Sequence, residues 1–194
     1  QHGTTVDARI INRARAVEDI GLESIWITDH LAIPPDNAEG SGGRYLEILT
    51  TLAWLAGITK RLKIGSAVLV LPYRAALLTA KQIATVQELS GDRLVVGVGV
   101  GWMDPEFQAL GVDRHARGRI SDETLAFLND CFAQDKVEAN DQMFLFKPRP
   151  VKPPFLIGAG RHMRSNARRH MAMVGFPWSR DRKTSLRRCL HIAR

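Results

Sequence analysis

Asp29 and His30 stand side by side at the end of a short β-rich run, Ser24-Ile-Trp-Ile-Thr28. Histidine changes charge near neutral pH, so at a strand end it can give or take a proton in a reaction. An aspartate beside it can orient a partner or bond a ligand. The plainer alternative is an Asp that caps the next segment and a His on a polar loop. A second candidate is Gly97-Val-Gly-Val-Gly101. Alternating glycines let a backbone approach a flat ligand or a phosphate. The spacing is GxGxG rather than the GxGxxG of a dinucleotide site, and Trp102-Met-Asp-Pro105 does not open a helix at once. Close helix–strand packing in a tight interior is the competing explanation. The third candidate is Gly158-Ala-Gly160, where backbone N–H groups between a strand and a helix suit an anion. Arg161 and His162 add charge there, although a plain turn would use the same residues. Ala67-Val-Leu-Val70 is by composition only a buried strand. There is no P-loop, HExxH or GxSxG motif, and His162 and His170 lack neighbouring carboxylates, so no metal site is expected.

The elements that must position these residues follow from hydrophobic spacing. Ile10, Ile11, Ala14, Val17 and Ile20 predict a helix over 7–20, closed by Gly21. Residues 31–45, with two prolines and three glycines, read as a loop. Helices are predicted over 46–58 and 75–89, near 105–110, and over 121–132 and 165–174. Near-continuous apolar strands are predicted over 62–71, 93–100 and 154–157, with a short strand or hairpin at 142–146. Strands apolar on both faces and alternating with helices imply a parallel sheet covered by helices. An open doubly wound sheet and a closed (β/α)8 barrel both satisfy this order. Both place function at the C-terminal ends of strands, where Asp29, Val70, Gly99 to Trp102 and Gly158 to Gly160 fall.

Composition narrows the class. The chain has 194 residues, 45% hydrophobic and 24% charged, enough apolar material for one packed domain. No apolar run reaches the roughly 18 residues of a membrane span, and no signal-peptide pattern opens the chain. Two cysteines far apart, Cys131 and Cys189, fit a reducing, cytoplasmic setting. The net charge of +7 is unevenly placed. Residues 1–160 carry 17 Lys and Arg against 19 Asp and Glu; residues 161–194 carry 10 against the single acid Asp181. The last 34 residues are a basic segment, with only Phe176 and Trp178 as aromatic interleaving, which argues against a nucleic-acid surface.

Several strings resemble the bacterial luciferase-like superfamily. Gly21-Leu-Glu-Ser-Ile-Trp-Ile-Thr-Asp-His30 resembles its second strand, and Lys63-Ile-Gly-Ser-Ala-Val-Leu-Val-Leu-Pro-Tyr-Arg74 its third strand and following loop. The Leu77–Leu110 stretch, most specifically Ser90–Gly101, is similar to its third helix and fourth strand, and Pro153-Pro-Phe-Leu-Ile-Gly-Ala-Gly160 to its fifth strand. The likeness is nearest to the branch using the deazaflavin coenzyme F420; the other main branch uses FMN. It implies an α/β fold, a TIM (β/α)8-type barrel with the cofactor at its C-terminal mouth. It assigns Asp29 to deazaflavin contact, and His30 to proton donation or abstraction at the substrate. Ala67 and Val68 fall on a non-prolyl cis peptide in a bulge behind the ring. Val70, Val100 and Gly101 fall on ring or ribityl contacts, and Ala159 and Gly160 on a phosphate-contacting pair. Trp102 stands where some deazaflavin sugar-phosphate dehydrogenases carry a catalytic glutamate, so that substrate is not expected. Val100 replaces an arginine that contacts phosphate in the luciferases, which favours coenzyme F420 over FMN.

The resemblance covers residues 1–160, a partial barrel with strands 2 to about 6, and fades over 161–194. A full barrel takes about 250 residues. Length and the charge jump together lead us to expect a chain truncated at both ends or frame-shifted near Gly160. The function expected is hydride transfer between a reduced flavin or deazaflavin and a small organic substrate, by a homodimer with no nucleic-acid or membrane partner. The alternative expectation is a non-catalytic remnant that binds cofactor weakly or not at all.

Overall fold

The computed structural model describes residues 6–38, 41–157 and 189–191. The chain opens with helix α1 (Val6–Asp19), strand β1 (Ser24–Ile27), helix α2 (Ile48–Ile58) and strand β2 (Lys63–Val70). It continues through helix α3 (Ala76–Ser90), strand β3 (Leu94–Gly99) and helices α4 (Asp104–Leu110) and α5 (Arg117–Ala133). A hairpin of β4 (Lys136–Ala139) and β5 (Gln142–Leu145) precedes strands β6 (Phe155–Ile157) and β7 (Cys189–His191).

The main sheet has the order β6-β3-β2-β1-β7, and every pair in it is parallel. Parallel neighbours need a crossover, and α2 and α3 supply it between β1, β2 and β3. Burial on both faces explains the apolar runs: Ile64, Leu69, Leu94, Val96 and Val98 are all at most 1% exposed. Leu52 and Leu55 of α2, Ile83 of α3 and Leu128 of α5 join the same core. Local signals set the boundaries. The Glu47 side chain accepts from Thr50 N and caps α2, and Gly91 takes the left-handed conformation (φ 62°) that ends α3. Two polar anchors fix the N-terminal end of the sheet. Glu18 Oε1 accepts from the amides of Lys60, Arg61 and Leu62, and Arg93 donates to four carbonyls and to Thr59 Oγ1.

The predicted elements through residue 157 form, with ends shifted by a few residues. Helix α5 starts at Arg117 rather than 121, because its first turn is polar and gives no apolar period. The 142–146 segment is one arm of a hairpin whose other arm, Lys136–Ala139, the apolar pattern does not mark. A short 3-10 turn, Pro35–Asn37, interrupts the 31–45 loop. Cys189–His191 pairs with β1 from Ser24 to Trp26, so three residues of the basic segment form an edge strand that no sequence signal predicts. The predicted helix over 165–174 lies outside the described residues. The sheet is open among the described residues, with β6 and β7 at its edges. No helix among them is long and apolar enough to cross a membrane.

Candidate active site

Three adjacent strands, β1, β2 and β3, end side by side, and their C-terminal loops bring together residues far apart in the chain. The loop after β1 carries Asp29 and His30. The turn after β2, Leu71–Tyr73, is followed by Arg74. The segment after β3 runs through Val100, Gly101 and Trp102 into α4, whose first turn holds Glu106.

Asp29 ties the first two loops together. Its side chain is fully covered, at 0% exposure. Oδ2 accepts from Val70 N at 2.9 Å and Arg74 Nη1 at 2.6 Å, and Oδ1 accepts from Arg74 Nη2 at 2.7 Å. This two-pronged pairing is the strong geometry for guanidinium and carboxylate. Arg74 Nη2 also donates to Glu47 Oε1 at 2.9 Å, which links the cap of α2 to the same cluster. Burial alone would lower the Arg74 pKa, but its two carboxylate partners raise it overall. Glu47 is pushed up by burial, yet the Thr50 bonds and Arg74 outweigh that and hold it below the ordinary carboxylate value. With its carboxylate so covered and engaged, Asp29 acts on its surroundings through the Val70 amide and Arg74.

Glu106 ties the third loop to the first two. It is 1% exposed. Oε1 accepts from the amides of Leu31 (2.6 Å) and Ala32 (3.1 Å). Oε2 accepts from the Tyr73 hydroxyl at 3.0 Å and lies 3.1 Å from His30 Nδ1. Burial raises the carboxyl, but the two amides, His30 and Tyr73 more than offset it, so Glu106 is held below the ordinary value and is ionised at neutral pH. Burial, together with the bond to Glu106 and its charge, pushes the Tyr73 hydroxyl well up and keeps it protonated. The His30 side chain stays 21% exposed. Tyr45 packs on it at 4.7 Å between ring centres, and Trp102 meets it edge-on at 6.5 Å.

Between β1 and β3, the backbone of β2 carries one extra residue relative to β3. The pairing steps from Ser66↔Val96 to Leu69↔Val98, and the bulge contains the cis peptide Ala67–Val68. β3 lies close beneath it. A Cβ on Gly99 would stand 2.6 Å from Val68 Cγ2, and one on Gly101 2.8 Å from Val70 Cγ1 and 2.9 Å from Phe107 Cζ. Gly101 also has φ 77°, a conformation L side chains rarely adopt. So Gly99 and Gly101 allow close packing against Val68, Val70 and Phe107. Ala67, Val68 and Val100 are half-buried, while Ser66, Leu69, Val98 and Gly99 around them are buried. These three half-buried apolar residues lie at the same end of the sheet as His30.

Of the residues singled out in the sequence, the structure brings Asp29, His30, Ala67, Val68, Val70, Val100 and Gly101 to one end of the sheet. Ala159 and Gly160 lie outside the described residues. Sequence reasoning missed Glu106, Tyr73, Arg74, Glu47 and Tyr45. Glu106 follows Asp104-Pro105 in the first turn of a helix, where an acid reads as an ordinary complement to the helix dipole. Its contact with His30 spans 76 positions, which no local pattern reveals. The one usable signal is position, since Tyr73, Arg74 and Glu106 all follow closely on the C-terminal end of a predicted strand. Among the described residues no group of three His, Cys, Asp or Glu could hold a metal ion.

A parallel α/β sheet with its polar cluster at the C-terminal strand ends is the arrangement of the doubly wound and barrel folds. The chain belongs to the luciferase-like monooxygenase family, which matches residues 2–185. It is 33% identical over 132 residues to an FMNH2-dependent dimethylsulfone monooxygenase of Pseudomonas fluorescens, covering 64% of this chain and 35% of that protein. It is 30% identical over 139 residues to a 5,10-methylenetetrahydromethanopterin reductase of Methanolobus tindarius, covering 71% and 38%. Among solved structures, an F420-dependent secondary alcohol dehydrogenase in complex with an F420-acetone adduct superposes with a TM-score of 0.66 at 17% identity, over 78% of this chain and 48% of that one. The likeness places the chain in the luciferase-like TIM-barrel fold. The chain spans 35–58% of the length of the curated relatives it matches most strongly.

Proposed function

We propose that this chain carries the strand-end half of a flavin- or deazaflavin-dependent oxidoreductase site, one that moves a hydride between the cofactor and a small organic substrate. One observation carries the reading: at adjoining C-terminal strand ends, a partly exposed histidine anchored by a buried carboxylate shares one end of the sheet with the half-buried apolar residues Ala67, Val68 and Val100. The cofactor, when bound, supplies the hydride chemistry. Those apolar residues take one face of its ring and keep water from it. Val70 and Gly101 frame them, and Asp29 holds the Val70 amide in place. His30 moves the proton at the substrate. Ala159 and Gly160 take the phosphate. Family membership and the names of the relatives support a reduced flavin or deazaflavin, and they do not favour the non-catalytic alternative. Coenzyme F420 is our choice over FMN, because Val100 offers no charge to an FMN phosphate.

The test is a fluorescence titration of the purified protein with coenzyme F420 and with FMN. Saturable binding of F420 in preference to FMN is the expected result. Preference for FMN would reverse the choice of cofactor, and binding of neither would overturn the reading. His30→Ala should lower turnover on the order of 100-fold or more while leaving cofactor affinity nearly unchanged. Equal turnover in the variant would remove His30 from the mechanism.

A further inference from the structure

We propose that Glu106 is a positioning residue that decides which nitrogen of His30 is free to accept a proton: it keeps the hydrogen on Nδ1 and leaves Nε2 bare. The proposal rests on the reading of His30 as the proton-moving group and adds which ring nitrogen exchanges that proton.

The argument is an account of donors and acceptors. Backbone N–H groups only donate, so Oε1 of Glu106 is committed to Leu31 and Ala32. Oε2 accepts from Tyr73 and faces His30 Nδ1 at 3.1 Å. An ionised carboxylate has no hydrogen to give, so the Nδ1–Glu106 bond exists only if Nδ1 donates. A neutral imidazole carries one N–H, and with that hydrogen on Nδ1 the lone pair on Nε2 is free. Among the described residues Nε2 has no hydrogen-bond partner. Turning the ring over would put a carbon against Oε2 and forfeit the bond, while Tyr45 packs against the ring. The neutral histidine is therefore set as a base at Nε2. When the substrate gives its hydride to oxidised cofactor and its proton to Nε2, both nitrogens carry hydrogen and the new positive charge lies next to the Glu106 carboxylate; in the reverse direction Nε2 returns that proton as the substrate takes up hydride from reduced cofactor.

Glu106→Gln makes the inference sharp. The Leu31 and Ala32 amides need an acceptor, so the glutamine oxygen takes the Oε1 position and its NH2 faces Nδ1 and Tyr73. Nδ1 must then accept, and the hydrogen moves to Nε2. The substitution keeps size and shape but reverses the free nitrogen.

The experiment uses protein with 15N-labelled histidine and no cofactor, read by long-range proton–nitrogen correlation above the pH at which the ring is neutral. The His30 signals are identified by their loss in His30→Ala. Expected is hydrogen on Nδ1 in the native protein and in Tyr73→Phe, and on Nε2 in Glu106→Gln, whose turnover falls on the order of 100-fold with little change in cofactor affinity. Hydrogen on Nε2 in the native protein overturns the proposal, as does an unchanged tautomer in folded Glu106→Gln. If Glu106→Gln does not fold, the native and Tyr73→Phe spectra decide. The spectra need neither cofactor nor turnover. An active His30→Ala would therefore remove the catalytic reading and leave the tautomer result intact.

Discussion

The two ends of the parallel sheet use buried and half-buried charge in different ways. At the N-terminal end, the anchors terminate on backbone. Glu18 accepts three consecutive amides, and Arg93 spends its guanidinium on the carbonyls of Ala56, Thr59, Leu62 and Ser90 and on one hydroxyl. An open cleft of about 360 Å³ lies there, lined by Glu18, Arg61 and Lys63 among others. Size alone would nominate it as a site, but Glu18 in its wall is already committed to the main chain. At the C-terminal end, Asp29 and Glu106 each take backbone amides and also hold a side chain, Arg74 in one case and His30 with Tyr73 in the other. Backbone partners make an end rigid. Side-chain partners transmit position and charge to a group that can meet a ligand.

That contrast can be broken by mutation. Asp29→Ala should have the largest effect on stability. It leaves the Val70 amide without an acceptor and Arg74 with only Glu47, and breaking a buried ion pair by removing one partner costs about 3–5 kcal/mol. Urea unfolding measures it, and cofactor titration should fail in the same variant, because the Val70 amide and the bulge move with it. Arg93→Met should cost less, about 1–3 kcal/mol, because it leaves neutral carbonyls of buried residues short of a donor rather than a buried charge unpaired. Its cofactor titration should be unchanged. Loss of binding in Arg93→Met would show that the two ends are not independent. Gly99→Ala is expected to cost about 1–3 kcal/mol, as overpacking does. The new Cβ would stand 2.6 Å from Val68 Cγ2, and the resulting shift of Val68 should weaken ring binding more than the stability loss alone explains.

Much of the sheet was legible in the sequence, because strands buried on both faces read as apolar runs and their helices carry clear periods and glycine stops. Asp29, His30 and the glycine-rich strand end were legible by position. Function at parallel-strand ends is a rule of topology, and topology followed from the order of elements. Glu106, Tyr73 and Arg74 were not. Each looks ordinary in its own segment and becomes part of the site only through contacts 27 to 76 positions away. The role of Gly97 to Gly101 was open between ligand approach and packing, and for Gly99 and Gly101 the distances to Val68, Val70 and Phe107 show close packing, without bearing on ligand approach. The strand at Cys189–His191 carries no period of its own in so short a stretch, and only its pairing with β1 marks it.

The smallest effect expected is the dependence of stability on acid. Glu106 and Glu47 both have folded-state values below their ordinary 4.5. A depressed carboxyl contributes stability that is fully present above its unfolded value and is lost as pH falls through the folded one. The native protein should therefore lose unfolding free energy below about pH 4.5, and Glu106→Gln should lose less over the same range, because it has no proton to take up at that position. The gap between them, measured by urea unfolding at a series of pH values from 7 to 3.5, should narrow toward acid. Glu47→Gln should show the same narrowing more weakly, since the Glu47 side chain is 36% exposed and solvent screens it. A constant gap for Glu106→Gln would mean that its carboxylate contributes shape rather than charge. The distinction between a backbone-terminated end and a charge-transmitting end would then rest on Asp29 alone.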